Sequence, residues 1–69
     1  MNAVEIYLNG ERVLTQAADL QALLLERAYR LDAAMACARN NAFVPRAQWA
    51  HTALQPQDKL DVVAPITGG

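Results

Sequence analysis

Apolar and polar residues alternate through Val4–Leu8, with Val4, Ile6 and Leu8 on one side and Glu5 and Tyr7 on the other, which predicts a half-buried strand. Asn9-Gly10 follows at once. A two-residue type I′ turn needs positive φ at both central positions, and this dipeptide supplies it, so residues 11–15 read as the returning strand of a hairpin. The period then changes. Leu20, Leu23, Leu24, Ala28 and Leu31 recur at spacings of three and four, while Gln21, Glu26, Arg27 and Arg30 take the opposite side. That is the pattern of an amphipathic helix, expected over 19–30, with Asp19 as its N-cap and Arg27 and Arg30 beside the negative end of its dipole. Leu25 falls off the stripe and suggests a helix flanked on more than one side, although a single exposed leucine is ordinary.

Residues 34–39 are small and mostly apolar, Asn40-Asn41 tolerate left-handed backbone, and Ala42-Phe43-Val44 follow, which together predict a second hairpin. Pro45 stops that strand. Residues 46–50 suit a single helical turn, Gln55-Pro56-Gln57-Asp58 a reverse turn, and 60–64 a last strand ending at Pro65. One amphipathic helix hides only one face of a sheet, so hairpin, helix, hairpin and strand add up to an α+β domain. Periodicity leaves the strand order open.

At 69 residues the chain is one domain with a thin core, since a chain of this size buries only about 60% of its unfolded surface. Little room remains for an enclosed catalytic cavity, which favours a module that enzymes act on over an enzyme. Six Lys and Arg against seven Asp and Glu give a net charge of −1, with no basic footprint for nucleic acid or an anionic membrane. No apolar stretch approaches the roughly 20 residues of a membrane span, and the first residues have no leader pattern. A single cysteine, Cys37, excludes an internal disulfide and favours the cytoplasm, and with one histidine, His51, it cannot make a structural zinc site. Cys37 lies on a predicted strand among alanines, where an inert, buried thiol is the expectation. His51 reads as a lone loop histidine without a functional role.

The sequence ends Pro65-Ile66-Thr67-Gly68-Gly69. Glycine has no Cβ to obstruct a narrow channel, and five residues beyond Ala64 reach at most about 16–18 Å, enough to thread a partner's cleft while the body docks outside. The expected organisation is therefore a domain over 1–64 and a flexible tail over 65–69 that orders on binding. A terminal carboxylate is ionised at neutral pH and resists nucleophiles until activated, for instance by coupling to AMP, after which a persulfide sulfur can displace the nucleotide.

Val44-Pro45-Arg46-Ala47-Gln48-Trp49, Leu60-Asp61-Val62-Val63 and Gly68-Gly69, with Asn9-Gly10 and the Leu-rich helix, resemble the VPR-x-QW segment, final strand and tail of ThiS-type sulfur carriers over essentially the whole chain. The resemblance implies a ubiquitin-like β-grasp fold, a mixed sheet of four to five strands covered by one main helix, with the first and last strands side by side in the middle. It further implies a carrier in thiamine (thiazole) biosynthesis that binds no cofactor. Gly69 matches the residue that a ThiF-type enzyme adenylates with ATP; a sulfur-donor protein helps convert it to a thiocarboxylate, and a ThiG-type thiazole synthase receives the sulfur. Gly68 matches its companion, and Ile66 and Thr67, with little to pack on, are expected to contact the partner's cleft. The sequence departs from the family at Gln57, where many relatives have glycine, and at Asn41; both changes fall in turns. Trp49 is expected to cap the core with its indole N–H bonded, and Arg46 to hold a local carbonyl or carboxylate. The molybdopterin synthase small subunit, a ubiquitin-like protein modifier and an adaptor with an inert tail are the rival readings.

Overall fold

The computed structural model describes residues 3–64. Within them β1 (Val4–Leu8) and β2 (Glu11–Thr15) form the first hairpin, α1 (Leu20–Glu26) follows, and β3 (Ala36–Arg39) and β4 (Ala42–Val44) form the second. A 3₁₀ helix (Arg46–His51) then leads to β5 (Lys59–Val63). The strands make one sheet in the order β2-β1-β5-β3-β4. β1 and β5 run parallel at its centre and every other pairing is antiparallel, so the chain has the mixed sheet and single main helix of a β-grasp fold.

Both hairpin turns have the left-handed backbone that their residues predict. φ is 52° at Asn9 and 82° at Gly10, then 51° at Asn40 and 69° at Asn41. Asn41 thus suits its turn as it stands. Gln57 also sits left-handed, at φ 71°, so the reverse turn keeps its geometry without glycine. It is pinned there because the Gln57 N–H donates to the Glu5 carbonyl at 2.7 Å and its side-chain amide reaches Glu5 Oε1 at 3.0 Å.

The helix is shorter than its periodicity predicts. Asp19 caps it as expected, accepting from the Ala22 N–H at 2.8 Å, but Arg27 is the C-cap and Ala28 turns left-handed at φ 67°. The Tyr29 N–H then bonds back to the Leu24 carbonyl at 2.8 Å, a Schellman closure with alanine where glycine is usual. Ala28 and Leu31 therefore leave the helical stripe, and Arg30 lies beyond the helix, paired with Asp32 at 3.1 Å on the surface. Leu25 is 56% exposed, so the second flank that its position suggested is absent among the described residues.

One face of the sheet and the inner face of α1 enclose the core. It consists of Ile6, Leu8, Val13, Leu20, Leu23, Leu24, Cys37, Val44, Trp49, Leu54, Leu60 and Val62. Trp49 closes one edge, 2% exposed, and donates from its indole nitrogen to the Val44 carbonyl at 3.0 Å. The Arg46 guanidinium lies 4.6 Å from the Trp49 ring centroid and donates to the carbonyls of Leu31 and, at 2.7 Å, Ala33. Through its two carbonyl bonds Arg46 fastens the irregular stretch after α1, and through its stacking on the buried Trp49 ring it ties that stretch to the core.

Candidate functional site

Ile66, Thr67, Gly68 and Gly69, the residues singled out for chemistry, lie outside the described residues. What is described is the platform from which they depart, the C-terminal end of β5.

β5 is gripped at both ends by asparagines of the hairpin turns. At its start, the Lys59 N–H donates to Asn40 Oδ1 at 2.9 Å and the Asn40 N–H donates to the Lys59 carbonyl at 2.7 Å. Asn40 also donates from Nδ2 to Asp58 Oδ1 at 3.2 Å. Asp58 is buried; its second oxygen accepts from the Gln55 N–H at 2.8 Å and lies 2.9 Å from Arg39 Nε. That last N–H is not aimed along a hydrogen bond, so the Arg39 contact is electrostatic. At the other end of β5, the Val62 N–H donates to Asn9 Oδ1 at 2.8 Å, while the Asn9 N–H donates to the Leu60 carbonyl at 2.8 Å.

The sheet face turned away from α1 carries Glu5, Tyr7, Arg12, Leu14, Ala36, Ala38, Phe43, Lys59, Asp61 and Val63. Val63 is 65% exposed and Phe43 69%. Ala36 is paired with Val63 and Ala38 with Phe43, so two small side chains floor the space between the large ones. An apolar patch therefore sits on the open face beside the point where the chain leaves β5. Adjoining it, an open groove of about 330 Å³ is lined by Tyr7, Gly10, Lys59, Leu60 and Asp61.

The remaining sequence candidates are structural or peripheral. Cys37 is 1% exposed, and burial raises its thiol pKa, with the positive charge of Arg46 opposing the shift. Its thiol therefore stays protonated at neutral pH and packs as a small apolar group. His51 is exposed at the end of the 3₁₀ helix. Among the described residues there is no cluster of metal-ligating side chains, and no helix is long and apolar enough to cross a membrane. Two features escaped the sequence reading: the side-chain bonds of Asn9 and Asn40 to β5, and the apolar patch of Phe43 and Val63. Phe43 and Val63 alone carried a signal, since each occupies a solvent-side position of a predicted strand.

The ThiS family model matches residues 1–69. No curated protein matches the chain at a significant level. The fold is similar to the crystal structure of the thiamine biosynthesis protein ThiS from Geobacter metallireducens, with a TM-score of 0.78 and 16% identity over 96% of this chain and 100% of that one.

Proposed function

The chain belongs to the ThiS family, and from that premise we propose that it is a sulfur carrier of thiamine biosynthesis, a cytoplasmic cosubstrate whose reactive group is the Gly69 carboxylate. The carboxylate attacks the α-phosphorus of ATP in a ThiF-type enzyme, forming the acyl-adenylate and releasing pyrophosphate. The terminal sulfur of a donor's persulfide then displaces AMP, and a thiol cleaves the resulting S–S bond, leaving the thiocarboxylate on the carrier and a disulfide behind. A ThiG-type thiazole synthase takes the sulfur. Gly68 lets the backbone pass the narrowest part of each partner's cleft, and Thr67 and Ile66 line its mouth.

What supports this reading is the position of the last strand: β5 lies at the centre of the sheet and ends at Val63, beside an exposed apolar patch and six positions before Gly69. Residues 65–69 span at most about 16–18 Å, so a partner holding the terminal carboxylate must also touch the body near Val63. Phe43 and Val63, with the small floor between them, are the surface available for that contact. The test is ATP–pyrophosphate exchange by a ThiF-type enzyme. Exchange that depends on the chain and disappears when Gly69 is deleted is expected; exchange that survives the deletion refutes the assignment.

A further inference from the structure

Along β1 and β5 the rungs of the parallel ladder come two residues apart. The Tyr7 N–H bonds to the Asp58 carbonyl and the Asn9 N–H to the Leu60 carbonyl, both at 2.8 Å. A regular continuation would place the Asn9 carbonyl opposite the Val62 N–H. The chain cannot do this, because β1 ends at Leu8 and Asn9 already has the left-handed backbone of the turn, φ 52°. The rung is filled by the Asn9 side chain instead, whose Oδ1 accepts from the Val62 N–H at 2.8 Å. Val62 is buried, 8% exposed, so without that acceptor its N–H would lie in the core edge with no partner. On the other side of β5, Val63 is paired with Ala36, the first residue of β3. Asn9 and Ala36 are thus the last points at which the sheet holds β5 on its two sides.

We propose that Asn9 is a positioning residue for activation of the terminus: its side-chain carbonyl replaces the missing rung and sets the direction in which β5 ends at Val63. The proposal rests on the function assigned above. A reach of at most about 16–18 Å leaves little slack: with the β1-side rung gone, the end of β5 twists about its remaining pairing with β3 and turns the carboxylate off its line of attack, while Val63 stays beside Ala36 and the docking surface keeps its place. Asn9 therefore acts on turnover and not on docking. The turn alone does not require this residue, because Gly-Gly fits a type I′ turn equally well.

Asn9→Gly keeps the turn and removes the acceptor; Asn9→Asp keeps both, since aspartate tolerates left-handed backbone and accepts more strongly. Hydrogen exchange at the Val62 amide and the kinetics of pyrophosphate release by a ThiF-type enzyme are measured for both variants and the wild type. In N9G, exchange at Val62 is expected to rise about fivefold or more. The kcat of activation is expected to fall about 10- to 100-fold. KM stays within about twofold, the scale of an untouched docking surface. N9D restores slow exchange and turnover together. Wild-type protection of Val62 in N9G, faster exchange with unchanged kcat, or a change confined to KM would each overturn the proposal. Failure of the wild-type chain to support pyrophosphate release at all would overturn the function assignment and this proposal with it, an outcome distinct from a loss confined to N9G.

Discussion

The two hairpin turns share a left-handed pair of residues led by asparagine, and in both the side chain of that asparagine accepts a hydrogen bond from β5. Their surroundings differ. Asn40 holds the start of β5 within a polar cluster that includes the buried carboxylate of Asp58, the Gln55 N–H and Arg39, so its bond is one of several that fix the same backbone. Asn9 holds the end of β5 by a single side-chain bond, two residues before the strand leaves the sheet at Ala64. A redundant grip serves stability, because losing one member leaves the others in place. At the exit, the Asn9 bond holds the β1 side of β5 and the Ala36–Val63 pairing holds the other, so losing Asn9 frees one side of the strand end.

The sharpest way to break this contrast is at the redundant end. Asp58→Ala removes the acceptor of the Gln55 N–H and the partner of both Asn40 and Arg39, and should cost about 2–4 kcal/mol, read as a lower midpoint in urea unfolding. The fraction that remains folded should be activated at the wild-type kcat. Asn40→Gly keeps the turn and the rest of the cluster and should cost about 1–2 kcal/mol, again with kcat unchanged. If Asn40→Gly lowered kcat as much as Asn9→Gly, the division of labour between the turns would be wrong.

A change of opposite sign separates turn geometry from tethering. Ala28 is left-handed with no side-chain role in the hydrogen-bonded closure, so Ala28→Gly should stabilise the chain by about 0.5–1 kcal/mol and raise its melting temperature without altering activation. The smallest stability effect is expected on the open face: Phe43→Asp should change unfolding free energy by no more than about 0.5 kcal/mol. That variant should instead raise the KM of activation about tenfold or more, the reverse of the kinetic signature expected at Asn9. A folded Phe43→Asp protein with wild-type KM would remove the apolar patch from the docking surface.

Local chemistry made most of the fold legible. Asn-Gly and Asn-Asn announce their own dihedral angles, Asp19 announces its cap, and alternation over Val4–Leu8 separates the two faces of a strand before any partner is known. The helix end was illegible for the complementary reason: Ala28 has no preference for left-handed backbone, and the closure is imposed by the Tyr29-to-Leu24 bond and by the segment that Arg46 and Trp49 hold from a distance. The strand order came from the family resemblance, since no period encodes which strands are neighbours. The second role of Asn9 depends on the register of β1 against β5, and that register joins residues more than 50 positions apart. The proposal of a reactive terminus rests on its two glycines and the family resemblance, whereas the strand that precedes it, a central one ending beside exposed Val63 and Phe43, emerged only with the sheet.

In the proposed carrier the terminal carboxylate is the group that takes up sulfur. Intact-mass analysis after incubation with ATP, a ThiF-type enzyme, a persulfide donor and a thiol reads this directly. Exchange of one oxygen for sulfur, assigned by fragmentation to Gly69, is the expected result. An unchanged mass with an enzyme that activates another family member under the same conditions, or sulfur recovered on Cys37 in place of Gly69, would contradict it.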